Sequence, residues 1–124
     1  MHWLDMTFNV EVLLKGKEEV VDRTVEFDGP APSQWSDGDV EKILLITLTA
    51  FQDAQNPDND ERSPVSLRGF SWIVTPVEGG VAIAIEIGSG AVVSGPFKIS
   101  EDELSAMIRR AVANHTHVDG VWSV

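Results

Sequence analysis

Histidine and carboxylate side chains cluster in one short stretch near the end of the sequence. His115 and His117 are separated by one residue, and Asp119 follows two positions later. Imidazole nitrogen and carboxylate oxygen are both zinc ligands, and alternate residues of an extended segment project to the same side. No third histidine lies nearby, however, and the plainer interpretation is that the two histidines end a helix. We therefore predict neither a metal site nor a cofactor.

A second candidate for chemistry is Glu86, which lies in the most apolar strand pattern of the sequence, residues 81–87. A carboxyl group buried among apolar residues can serve as a proton carrier. Charged residues are rarely buried without a partner, so the strand face that carries Glu86 is more simply interpreted as open to water.

Motifs for covalent catalysis or nucleotide binding are missing. The sequence has no cysteine, which excludes disulfides, thiolate metal sites and cysteine nucleophiles. Gly88-Ser89-Gly90 lacks the spacing of a nucleophile elbow, and the glycines at 79–80 and 88–90 precede strands rather than a helix that could bind phosphate. We assign no catalytic residue, and the sequence favours a protein that is not an enzyme.

The charge of the chain is strongly negative and unevenly distributed. The net charge is −11, and residues 1–62 hold fourteen acidic and five basic residues. Binding to phosphate backbones depends on cationic contacts, so nucleic acid is excluded as the expected partner. A basic protein is a better match, and the first half of the chain is where it should dock.

Membrane insertion and export are not indicated by the sequence. No apolar run reaches the roughly 18 to 20 residues that span a bilayer, and residues 1–10 lack the pattern of a signal peptide. The absence of cysteine suits a reducing compartment. We therefore expect a cytoplasmic protein without a membrane partner.

Alternating apolar and polar residues predict a hairpin at the start of the chain. The alternation favours strands at residues 7–14 and 19–27, joined by a glycine-containing turn at residues 15–18. Arg23 breaks the apolar parity of the second strand. It lies at a sheet edge, or the register of the hairpin slips at this point.

A first helix is predicted from Asp37 to about Gln55. Ser36 and Asp39 have the spacing of a helix cap, and apolar residues follow at helical intervals on one face. Leu45 and Ile46 do not belong to that face. Three alternatives remain for Leu45 and Ile46: they are covered by another element of the chain, they are covered by a second subunit, or they are exposed.

The second half of the sequence predicts more strands and a second helix. Strand patterns occupy residues 67–77 and 81–87, and a short edge strand at residues 91–94 ends before Gly95-Pro96. A capping box at residues 100–103 then begins a helix that runs to about Asn114. The tail, residues 118–124, could form a last strand.

These elements predict one α+β domain that covers residues 1–124. The expected architecture is an antiparallel sheet of four to six strands with two helices on one face, in the order ββαββ(β)α followed by the tail. The order also resembles a doubled ββα unit, because each half has a Gly-Pro pair after its strands and a serine helix cap. The order of the strands within the sheet is not predicted.

Large apolar residues outside the expected core are candidates for partner binding. Trp35 and Trp122 lie in a loop and in the tail, where a tryptophan either locks the segment onto the core or forms a contact surface. Together with Leu45 and Ile46 they form the predicted partner-binding set.

The functional hypothesis is a non-enzymatic, acidic interaction or adaptor domain that binds protein, in one version as a homodimer. The alternative is a small-ligand-binding protein or enzyme with a site between the sheet and the helices. That site would use Glu86, or His115 and His117, with Trp72 as part of its lining.

Overall fold

The computed structural model describes residues 5–55 and 70–120, with the backbone alone for residue 5 and residues 114–120. Strand β1 (Asp5–Leu14), strand β2 (Val20–Asp28), a short 3-10 helix (Pro32–Gln34) and helix α1 (Asp37–Gln55) are followed by strand β3 (Ser71–Val77), strand β4 (Gly80–Ile87), strand β5 (Gly90–Phe97) and helix α2 (Glu101–Gly120). The two helices and the five-stranded antiparallel sheet confirm the predicted α+β class.

The strands lie in the order β2-β1-β5-β4-β3, so β2 and β3 are the edges. Arg23 lies in edge strand β2, and the β1–β2 register continues without a slip from Asp5 opposite Asp28 to Leu13 opposite Val20. The first of the two explanations for Arg23 is therefore the correct one.

The prediction of a short edge strand at residues 91–94 is wrong, because β5 continues to Phe97 and lies in the centre of the sheet. Val81 pairs with Phe97 and Ile83 with Ser94, so two steps along β4 face three along β5. The extra residue makes a β-bulge at Gly95-Pro96. A bulge accommodates a proline that has no N–H for the ladder, which is why this pair does not end the strand.

The strand order gives no support to a doubled ββα unit. Hairpins β1–β2 and β4–β5 are the two segments that would correspond, yet β1 lies beside β5. A two-fold relation between the halves would place equivalent strands beside each other at the centre of the sheet. The two serine signals describe two similar helix caps, but the Gly-Pro pairs differ, since Gly29-Pro30 follows the end of β2 and Gly95-Pro96 lies within β5.

Both helices pack on the same side of the sheet. The predicted inward face of α1 is confirmed, since its buried residues are Val40, Ile43, Leu44, Thr47, Leu48, Ala50, Phe51 and Ala54. From the sheet, alternate residues of each strand join the same core, including Phe8, Val10, Val12, Phe27, Val74, Ile83, Ile85, Val92 and Phe97. Alternation in the strands and helical spacing in α1 thus produce one apolar layer between the sheet and the helices.

Side-chain caps fix where both helices begin. The Ser36 hydroxyl accepts a hydrogen bond from the Asp39 N–H at 3.3 Å, and the Asp39 carboxylate accepts one from the Ser36 N–H at 2.9 Å. The Ser100 hydroxyl accepts one from the Glu103 N–H at 3.1 Å. Each cap satisfies backbone donors that have no partner inside the helix, as the sequence predicts.

An ion pair joins the start of α1 to α2. The Arg110 guanidinium donates to both carboxylate oxygens of Asp37, at 2.9 and 3.0 Å. These hydrogen bonds raise the pKa of Arg110. The side chains of Arg110 and Asp37 are 56% and 38% exposed, so we expect the pair to contribute little to the stability of the fold.

The segment between β2 and α1 is attached to the core by Trp35, which is 7% exposed. Its ring packs against Phe27 and Phe97, with centroid distances of 6.0 and 5.1 Å, and its indole N–H donates to the Pro30 carbonyl at 3.0 Å. This is the locking role, and the burial of the ring argues against its use as a contact surface for a partner.

Replacement of Trp35 by phenylalanine tests this lock. Trp35→Phe keeps an aromatic ring but removes the donor to the Pro30 carbonyl, and we expect a loss of about 2 kcal/mol in the free energy of unfolding. Urea unfolding followed by circular dichroism measures the change. An unchanged midpoint would show that this hydrogen bond does not hold the segment.

The end of α2 differs from the prediction. The helix extends to Gly120 rather than ending near Asn114, so residues 118–120 are helical and do not begin a strand. The remainder of the predicted tail, residues 121–124, lies outside the described residues.

Among the described residues, no helix is long and apolar enough to cross a bilayer.

Candidate interaction surface

The side of the sheet opposite the helices is not covered by any described element. We call this surface the open face. Its residues are the other alternate set of each strand, namely Thr7, Asn9, Glu11, Leu13, Val20, Asp22, Thr24, Glu26, Ser71, Ile73, Thr75, Val77, Ala82, Ala84, Glu86, Ala91 and Val93.

The large hydrophobic residues most exposed in the described structure all lie on the open face. They are Ile73 at 61%, Val20 at 47%, and Leu13 and Val77 at 42% each. Leu13 and Val20 are directly paired across β1 and β2. The sequence signal for this surface is an apolar residue at a strand position whose neighbours two residues away in the strand are polar. The residues predicted from α1, Leu45 and Ile46, do not include any of these positions.

Acidic side chains lie among these apolar residues in register. One cross-strand row runs Val20, Leu13, Ala91, Glu86, Ser71, and the next runs Asp22, Glu11, Val93, Ala84, Ile73. The carboxylates of both rows are exposed. The open face therefore mixes apolar and acidic side chains, with Glu11 and Asp22 on β1 and β2 and Glu86 on β4.

A shallow depression of about 290 Å³ lies on the open face at strands β3 and β4. Its lining includes Ile73, Ala84, Glu86 and Ala91. The small side chains of Ala84 and Ala91 form its base, and Ile73 and Glu86 stand higher beside it. The depression can take an apolar side chain of a partner and place a cation next to Glu86.

Glu86 is exposed on the open face, on the opposite side of the sheet from the helices. This position agrees with the simpler interpretation that its strand face is open to water. A site between the sheet and the helices cannot use Glu86, because that space is filled by the apolar side chains of the other parity. Trp72 has that other parity and is half-buried against the core.

The predicted partner-binding residues do not form one surface. Leu45 and Ile46 are half-buried on α1 and pack against the core. Trp35 belongs to the segment that precedes α1, and its ring is buried in the core. Trp122 lies outside the described residues. Among the predicted residues that the structure describes, Leu45 and Ile46 are the two whose side chains are partly exposed and could contact a partner.

His115, His117 and Asp119 lie within the bounds of α2, and their side chains are outside the description. The sequence predicts that the histidines end a helix that runs to about Asn114, but α2 continues past both of them to Gly120. Within the described side chains, no three histidine, aspartate or glutamate residues are grouped so that they could hold a metal ion.

Comparison with known proteins adds no relative. The chain matches no protein family, no curated protein and no solved structure. Function must therefore be inferred from the open face itself.

Proposed function

We propose that this protein is a non-enzymatic, acidic interaction domain of the cytoplasm that binds a partner protein through its open face. The observation that carries the proposal is the exposure of Leu13, Val20, Ile73 and Val77 on the side of the sheet that faces away from the helices and the core. Leu13 and Val20 are neighbours across β1 and β2, and Ile73 and Val77 lie on the same side of β3. Neighbouring exposed apolar side chains of this kind are typical of contact surfaces, whereas single ones need no explanation.

The charge of the open face supports a basic partner. Exposed carboxylates of Glu11, Asp22 and Glu86 lie next to the apolar residues, and the whole chain has a net charge of −11. Complementary charges steer two proteins together and exclude partners of like charge. The same repulsion opposes the homodimer, since a second copy on this face would add the same carboxylates to the interface.

Affinity capture with a matched pair of variants tests the proposal. The wild-type chain is immobilised, exposed to a lysate of its source cells, and a captured protein is identified and purified for affinity measurement. Full burial of a Leu or Ile side chain contributes about 1.5–3 kcal/mol, so Leu13→Ser/Ile73→Ser should weaken binding at least about tenfold. Circular dichroism of each variant verifies that it is folded.

The control is Leu45→Ser/Ile46→Ser, which alters the surface predicted from the sequence. Capture that depends on this pair and not on Leu13 and Ile73 would move the contact to α1. If neither pair affects capture, the proposal is wrong. A panel of metals and metabolites tests the ligand-binding alternative, since a ligand of the folded state must raise the melting temperature.

A further inference from the structure

We infer that the partner contributes a basic amphipathic α-helix, which lies along β4 and β5 on the open face. This inference rests on the proposed function and specifies the shape and the charge of what is bound. It follows from the height of the side chains on the open face, the position of its carboxylates and the character of the sheet edges.

The distance between the larger side chains on the open face matches the width of a helix. Apart from Glu86, the outward residues of β4 and β5 are small, with Ala84 and the buried Ala82 on β4 and Ala91 and Val93 on β5. The larger Leu13 and Ile73 stand on the flanking strands β1 and β3. Three strand spacings separate β1 from β3, about 14 Å, and a helix with its side chains is about 10–12 Å wide.

Apolar and acidic residues define which helix would bind. Leu13, Ile73 and the depression beside Ala84 contact apolar side chains on one face of the helix. Glu11 on β1 and Glu86 on β4 lie on either side of β5, where they meet lysine or arginine flanking that apolar face. A helix with an apolar stripe bordered by cations satisfies both features.

Other occupants match the observations less well. An added strand needs a regular free edge, but edge strand β3 contains Pro76 and edge strand β2 carries Asp22, Arg23 and Glu26. Proline and charged residues on an edge oppose strand addition. A second copy of the chain would place Glu11 and Glu86 of both copies in one interface.

Titration with a model helix tests the inference. The probe is a synthetic peptide of leucine and lysine in helical amphipathic order, about 18 residues long, which matches the roughly 26 Å length of β4. Its counterpart has glutamate in place of lysine. Nuclear magnetic resonance of the isotope-labelled full chain locates each peptide, and fluorescence anisotropy gives the affinity. The expected result is that the basic peptide shifts the signals of Leu13, Ile73, Ala84, Ala91 and Val93.

Two charge-reversal variants separate a built site from diffuse attraction to an acidic protein. Glu11→Lys/Glu86→Lys removes the carboxylates of the open face, whereas Glu18→Lys/Glu19→Lys makes the same change of charge in the exposed segment between β1 and β2. We expect the first to weaken binding about tenfold or more and the second less than about threefold. Circular dichroism verifies the fold of both.

Several results would overturn the inference. They are equal effects of the two variants, signal changes centred on α1 or α2, equal binding of the acidic peptide, and no binding of the basic peptide. A dimer in sedimentation that dissociates on Ile73→Asp would show that a second copy covers the face. If a captured natural partner depends on Leu13 and Ile73 while the basic peptide does not bind, the helix inference fails and the proposed function stands.

Discussion

Phe97→Ala should remove much of the stability of the fold. Phe97 is fully buried at the end of β5, where its ring packs on Phe8 and Trp35 with a centroid distance of 5.1 Å to each. Truncation of a buried phenylalanine leaves a cavity and costs about 3–5 kcal/mol, against a total of about 5–15 kcal/mol for a typical domain. Thermal unfolding should show a midpoint lower by about 10–20 °C.

Ile73→Ala is the matched control, because Ile73 lies in the same sheet but is 61% exposed on the open face. We expect a change within about 0.5 kcal/mol. Similar losses for the two variants would mean that the open face is covered in solution. A loss below about 1 kcal/mol for Phe97→Ala would contradict the central position of its ring.

The elements of this fold could be predicted because their signals are local. The Ser36 cap and the helical spacing of Val40, Ile43 and Leu44 determine α1 without knowledge of any other segment. Alternation likewise predicts which side of β1 and β4 is buried. Such patterns depend on neighbouring residues, which the sequence displays directly.

The position of β5 could not be predicted because it depends on pairing between distant segments. Gly95-Pro96 is a normal stop signal for a strand, and only the bulge opposite β4 lets the strand continue to Phe97. The choice of β1 as the other neighbour of β5 joins residues about 80 positions apart. No local pattern contains that information.

The open face could not be predicted from the sequence either, because it also depends on which strands are neighbours. The sequence predicts Leu45 and Ile46 as contact residues because they lie outside the main apolar face of α1. In the structure both residues pack against the core, because the helix is in contact with its neighbours on more than one side. Ile73 and Leu13 belong to different halves of the chain, and only the sheet order shows that they flank the same pair of strands. A surface made by register is recognisable only when the register is known.

Gly80→Ala should also be strongly destabilising, because two independent penalties act at the first residue of β4. The backbone of Gly80 has φ 148°, a conformation that residues with a Cβ rarely adopt. A Cβ added there would lie 2.1 Å from the Phe97 carbonyl oxygen and 2.8 Å from its carbon. Backbone atoms in a central strand cannot move away without breaking pairs, so we expect a loss of at least about 3 kcal/mol.

Substitutions at two other glycines separate the cost of the backbone conformation from the cost of the steric clash. Gly16 has φ 84° but nothing within 4 Å of an added Cβ, so Gly16→Ala should cost about 1 kcal/mol from backbone strain alone. Gly88 has neither feature, and Gly88→Ala should change the free energy of unfolding by less than about 0.5 kcal/mol. Urea unfolding of the three variants gives the comparison. If Gly80→Ala costs no more than Gly16→Ala, then β4 and β5 are not as close at this end as the register requires, and the bulge that brings Phe97 into the core would have to be placed elsewhere.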